Sequence, residues 1–87
     1  MALYGGNLEQ LDHLTATFQR QADAVDALRG TISTVLANTT WTGPAADRFR
    51  SDWAGTYVPA LNSLTTALRQ GAVTVGARRN AIAQATA

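Results

Sequence analysis

The chain has 87 residues, seven arginines against six acidic residues, one histidine (His13) and no cysteine. A net charge of +1 argues against a dedicated nucleic-acid binder, and the missing cysteines exclude disulfides and leave a structural zinc site without ligands. Apolar residues make up 46% of the chain but aromatic residues only 7%, which favours one small all-α domain over residues 1–87 that needs a partner to complete its core.

The first predicted helix runs from about residue 8 to residue 38. Asn7 can cap its start, because its side-chain oxygen can accept from a free backbone N–H group. Gln21 interrupts the apolar stripe of this helix, either as an exposed residue or as a buried amide that sets the register. The stripe has the three-and-four spacing of a coiled-coil seam, and we predict that it forms core or dimer interface: Leu11, Leu14, Phe18, Val25, Leu28, Ile32 and Val35.

A turn is predicted over residues 39–43. Thr39 and Thr40 are poor helix formers, and the Trp41-Thr42-Gly43-Pro44 segment follows them. Gly43 is expected to adopt a positive φ, since only glycine does so freely. Pro44 suits the first position of a new helix.

The second predicted helix covers residues 44 to about 85. Its apolar seam changes phase between Trp53 and Tyr57, and Pro59 lies close to that change. Because proline removes a backbone hydrogen bond and clashes with the preceding turn, a kink is expected near residue 59. The predicted core or interface residues here are Phe49, Trp53, Tyr57, Leu61, Leu64 and Leu68.

The two helices are predicted to form an antiparallel hairpin. All six acidic residues lie within residues 1–52, whereas residues 53–87 carry three arginines and no acid. The two segments either lie against each other or form separate solvated faces. One hairpin leaves apolar surface uncovered, so we predict that it dimerises into a four-helix bundle, with a copy of itself or with a different hairpin.

The segment Trp41-Thr42-Gly43, followed by PAADRFRSDW, resembles the WXG family of hundred-residue, ESAT-like type VII (ESX) secretion substrates. The resemblance covers essentially the whole chain. Trp53-Ala54-Gly55 also matches Trp-x-Gly, but only the first copy lies between two amphipathic segments. The use of arginine without lysine is typical of a GC-rich actinobacterial genome.

This resemblance implies a four-helix bundle that the type VII secretion ATPase exports from the cytoplasm without a cleavable signal peptide. It implies a secreted, virulence-associated protein, or a secretion partner, that acts by protein–protein recognition. Trp41 and Gly43 are then the recognition motif. Trp41 has two compatible interpretations, a hydrophobic plug at the end of the bundle and half of a composite recognition surface.

The chain departs from the family pattern in its tail. Exported pairs of the family resemble a bipartite signal that includes a C-terminal Tyr-x-x-x-Asp/Glu motif, but nothing after Asp52 is acidic here. A partner can carry that motif, the signal can be degenerate, or the motif can lie in a tail beyond Ala87. We favour the partner.

Other functions find less support in the sequence. A single histidine without cysteine, lysine or a phosphate-binding loop offers no catalytic constellation, so we expect no enzyme, no cofactor and no metal site. Membrane contact by Arg78-Arg79 and the second helix would be weak, because the polar face is mostly uncharged. Two alternatives remain open: a membrane-active effector, and a targeting partner for the helical N-terminal domain of a larger secreted toxin.

Overall fold

The computed structural model describes residues 5–86, and over these residues all of the regular secondary structure is helical, as the composition predicts. Helix α1 spans Leu8–Asn38, helix α2 spans Pro44–Asp52, and helix α3 spans Val58–Thr86. A π-helical segment, Trp53–Tyr57, joins α2 to α3 without a break. The expected second helix is therefore continuous, but it contains one turn of a different helix type.

The helices form an elongated antiparallel hairpin. We call α1 the first arm, and the continuous run from α2 to α3 the second arm. Residues that come later in the first arm contact residues that come earlier in the second. Four contacts show this order: Asp12 with Arg79, Phe18 with Gly71, Asp26 with Thr65, and Ser33 with Trp53. The rod measures 64 × 19 × 12 Å. Its radius of gyration is 19.3 Å, against about 12 Å for a compact domain of this length.

Local signals act at the helix starts as expected. The Asn7 side-chain oxygen accepts the backbone N–H of Gln10 at 3.0 Å and caps α1. Pro44 occupies the first turn of α2, where its missing N–H costs no hydrogen bond, and Asp47 lies in the same turn.

Small side chains form the contact between the helices. Between α1 and α3, Ala22 is fully buried and Ala72 nearly so, together with the hydroxyl-bearing Thr65; Ala46 of α2 is also fully buried. Among the described residues no large side chain is fully buried. Since a large apolar side chain gains roughly 1.5–3 kcal/mol only on full burial, the hairpin alone leaves much of its apolar surface in contact with water.

Polar contacts tie the helices together along one side of the hairpin. Arg79 binds Asp12 at 2.8 Å, and Arg69 binds both Asp23 and Asp26 at 3.1 Å. Arg29 also donates to Asn62 across the hairpin, and the Thr65 hydroxyl lies 3.2 Å from an Asp26 oxygen. The acidic first segment and the basic second segment therefore do lie against each other.

Replacing Arg69 by methionine should lower the melting temperature, because it removes two ion pairs while keeping the apolar stem. The difference in melting temperature from the wild type should become smaller as the salt concentration is raised. Salt screens exposed ion pairs, and the Debye screening length is already only about 10 Å at 0.1 M ionic strength. Arg20→Met is the control, because Arg20 donates only to Thr17 of its own helix in the contacts described. An equal, salt-independent loss in both variants would contradict this prediction.

Hydrogen bonds to Asp23, then to Asp26, raise the pKa of Arg69 above its usual value. A group whose pKa is raised by folding stabilises the folded state at every pH below its unfolded-state pKa. This stabilisation is lost only as the pH rises through the folded-state pKa. The loss would therefore come only in strongly alkaline solution, above the usual pKa of an arginine side chain. The Arg69 contribution should thus be constant across neutral and mildly alkaline solution.

The opposite side of the hairpin is apolar. Three leucines each follow, by two residues, a residue that makes one of the polar contacts between the helices. Leu14 follows Asp12, Leu28 follows Asp26, and Leu64 follows Asn62. Two residues turn an α-helix by about 200°, so these leucines point away from the ion pairs. We call the resulting surface the apolar face; it consists of Leu14, Leu28, Ile32, Val35, Tyr57 and Leu64.

The π segment lies immediately before Pro59, where a kink was expected. The backbone N–H of Val58 bonds to the carbonyl of Trp53, five residues back, instead of four. The irregular turn thus precedes the proline, and it is the turn that the proline ring would otherwise clash with.

Candidate functional site

The predicted core and interface residues fall into two groups. Six are partly covered inside the hairpin: Leu11, Phe18, Val25, Trp53, Leu61 and Leu68. Seven are exposed by between 39% and 60%, and they are Phe49 and the six residues of the apolar face. The single stripe expected from the sequence therefore divides into a contact within the hairpin and a surface that stays largely exposed.

Periodicity alone missed the residues at the centre of the helix contact. Gln21 is exposed, whereas Ala22, one residue later, is fully buried. Alanine and threonine carry little apolar area, so they do not stand out beside leucine. The available signal was their spacing from larger neighbours, since Ala22 lies four residues after Phe18 and three before Val25.

The loop that closes the hairpin carries Trp41 and is held by Arg50. The Arg50 guanidinium donates to the backbone oxygens of Trp41 at 2.6 Å and of Thr39 at 3.0 Å. It also lies 5.9 Å from the centre of the Trp41 ring, within cation–π range. The rings of Trp41 and Phe49 are 5.9 Å apart and tilted by 48°. These contacts fix the Trp41 side chain on the end of the rod while leaving it 41% exposed.

Gly43 has φ 116° and ψ 174°, a region that is essentially closed to residues with a Cβ atom. This confirms the positive φ expected from the sequence. The Gly43 carbonyl accepts the backbone N–H of Asp47 at 3.0 Å and so begins helix α2. The glycine thereby turns the chain from the Trp41 loop into the second arm.

An open cleft of about 460 Å³ lies at this end of the rod. Aromatic and apolar side chains form most of it, and Arg48 and Asp52 add one charge of each sign. Its lining consists of Trp41, Pro44, Ala45, Arg48, Phe49 and Asp52. We call the loop and this cleft the tip.

Trp53 and Tyr57 flank the tip on the π segment. The Trp53 indole N–H donates to the Ser33 hydroxyl of α1 at 2.9 Å, which satisfies the polar atom of a half-buried ring. The Tyr57 ring lies 6.2 Å from that of Trp53 and is 48% exposed. Trp53 therefore belongs to the hairpin contact, whereas Tyr57 belongs to its surface.

The arrangement can bind but offers little for chemistry. Within residues 5–86 the structure contains no group of three or more His, Cys, Asp or Glu side chains that could hold a metal ion. None of the helices described is long and apolar enough to span a bilayer. Asp23 and Asp26, which share a helix face, are engaged by arginines.

Comparisons of the chain with protein-family models, with curated proteins and with solved structures found no match. The resemblance of the Trp41-Thr42-Gly43 segment to the WXG family therefore stays a prediction from the sequence.

Proposed function

We propose that this protein acts by protein–protein recognition, as a helical hairpin that pairs with a second hairpin through its apolar face. The observation that carries the proposal is the exposure of that face. Leu28 is 48% and Val35 60% exposed, and the buried centre of the hairpin consists of alanines and one threonine. Full burial of such a side chain is worth roughly 1.5–3 kcal/mol, so covering the exposed half of each one contributes roughly 1 kcal/mol, and a second hairpin supplies that cover.

The second hairpin is a copy of this chain. All six residues of the apolar face are uncharged, and the net charge of +1 gives two copies little mutual repulsion. The rod face of 64 by 19 Å has a projected area on the order of 1,000 Å², against about 800 Å² per partner in a standard interface.

Light scattering across a concentration series, with far-ultraviolet circular dichroism on the same samples, tests the pairing. We expect a helical species of about twice 9.2 kDa that persists on dilution. A poorly helical monomer at every concentration would reject a homodimer. The same measurement after mixing with the Trp-x-Gly chain encoded nearest to this one would then test a heterodimer.

We further propose that the paired hairpin is a substrate or partner of a type VII secretion system. The support is the resemblance of the Trp41-Thr42-Gly43 segment, together with a tip that holds Trp41 in a fixed and partly exposed position. Because no Tyr-x-x-x-Asp/Glu follows Asp52, export would rely on a motif supplied by another chain.

Export is tested in an actinobacterial host, with and without its type VII secretion ATPase and with and without a co-expressed Trp-x-Gly partner. The protein should reach the culture filtrate only when both are present, and Trp41→Ala should be retained in the cells. Thr42→Ala is the matched control, since it changes an exposed neighbour in the same loop. Equal export of both variants would remove Trp41 from the recognition motif.

A further inference from the structure

The spacing of the covered residues changes at the π segment. Along α3 the covered residues recur at intervals of three and four: Val58, Leu61, Thr65, Leu68 and Ala72. Before the π segment, Ala46 and Trp53 are covered in the same way. The interval from Trp53 to Val58 is five, and the four residues between them are all exposed. The pattern of covered residues therefore continues past the π segment with one extra residue in the count.

The same interval of five appears in the backbone. The Val58 N–H bonds to the Trp53 carbonyl, so the π turn accommodates the extra residue within a continuous helix. One residue of an α-helix corresponds to about 100° of rotation. Without the π turn, α2 would be rotated by that angle relative to α3, and Ala46, which is fully buried, would no longer lie in line with the covered residues of α3.

We infer that the π segment sets the rotation of the tip, and that it thereby extends the surface that docks a second copy of this chain as far as Phe49. Tyr57 lies seven residues before Leu64, which is two α-helical turns. Phe49 lies eight residues before Tyr57, one interval of three plus the interval of five. Phe49 thus falls in line with the apolar face, and the three side chains are similarly exposed, by 41% to 48%.

This inference rests on the proposed pairing and specifies how far along the rod the two copies are in contact. On α1 the apolar face reaches Ile32 and Val35, within the last two turns of the helix, so both arms present apolar side chains near the tip. A docked copy would then lie along the rod up to its closed end instead of stopping at Tyr57. Phe49 carries no charge, so the extension adds apolar area without repulsion between copies.

Deleting a glycine tests the rotation. In a Pro59→Ala parent, which lets a normal α-helix form at this point, deletion of Gly55 should replace the π turn by an α turn and keep Ala46 in line with the covered residues of α3. Deletion of Gly30 is the matched control. Both glycines are helical and exposed, and a Cβ atom added at either one would meet no neighbouring side chain within 4 Å. The Gly55 deletion should keep the parent's melting temperature within a few degrees, whereas the Gly30 deletion should lose most of its cooperative unfolding. Equal damage from both deletions would overturn the inference.

Phe49→Asp tests the docking. It should raise the Kd of the dimer by about a hundredfold or more, because each copy would bury a carboxylate. Ser51→Asp should leave the Kd within about threefold, since Ser51 lies about 200° around the helix from Phe49. A dimeric wild type in which both variants bind equally well would overturn the inference alone. A wild type that stays monomeric would overturn both the inference and the proposed homodimer, and circular dichroism confirms that each variant is folded.

Discussion

Ile32→Asp converts the dimer into monomers, with a Kd raised by about a thousandfold or more. Ile32 lies between Leu28 and Val35 on the apolar face of α1 and is 39% exposed in the single hairpin. A symmetric interface contains every substitution twice, and each buried carboxylate costs several kcal/mol unless it finds a partner. Two copies at about 2 kcal/mol each already give a thousandfold change. Analytical ultracentrifugation or light scattering across a dilution series measures the shift.

Thr34→Asp is the matched control for Ile32→Asp. Thr34 is exposed on the same helix, two residues further on, and therefore lies about 200° around it. It introduces the same charge without entering the apolar face, so its Kd should stay close to that of the wild type. If Thr34→Asp dissociated the dimer as strongly as Ile32→Asp, the interface would have to lie elsewhere on the rod.

Gly43→Ala lowers the melting temperature by about 10 °C. Backbone angles near φ 116° and ψ 174° cost a residue with a Cβ atom about 1–3 kcal/mol, and 1 kcal/mol shifts a domain of this size by about 4–8 °C. Open space surrounds the position, so the loss comes from the backbone and not from a clash with another side chain. Thermal unfolding followed by circular dichroism at one fixed protein concentration measures it, because pairing makes the melting temperature depend on concentration.

Gly30→Ala makes the same chemical change as Gly43→Ala, but we expect it to raise the melting temperature instead of lowering it. Gly30 lies inside α1 with nothing within 4 Å of the added Cβ, and alanine favours a helix over glycine by about 1 kcal/mol. The variant should therefore melt at a higher temperature than the wild type. A Gly43→Ala variant as stable as Gly30→Ala would mean that the Trp41 loop takes another backbone path in solution.

Features that depend on a few neighbouring residues could be predicted from the sequence. The Asn7 cap, the first-turn position of Pro44 and the positive φ of Gly43 each follow from the conformational preferences of one side chain. The start and end of α1 are likewise marked by residues beside them. These local preferences act before any tertiary contact forms, so tertiary packing had no reason to override them.

Features that depend on the other helix were harder to predict. A proline at position 59 indicates a disturbed turn, but whether the helix kinks or takes up a π turn depends on which residues before it must contact α1. The apolar stripe had the same limit, since periodicity identifies Leu28 and Val25 alike as apolar. The close approach at Ala22 and Ala72 decides that Val25 lies partly covered while Leu28 faces outward.

The antiparallel course of the hairpin separates the tip from both ends of the described chain. Because α1 runs toward the tip and α3 runs back from it, Gly5 and Thr86 emerge together at the other end of a rod 64 Å long. A label, an affinity handle or a fused domain at either terminus would therefore sit far from Trp41. Tethering the protein to a surface by its termini would present the tryptophan loop outward, away from the point of attachment.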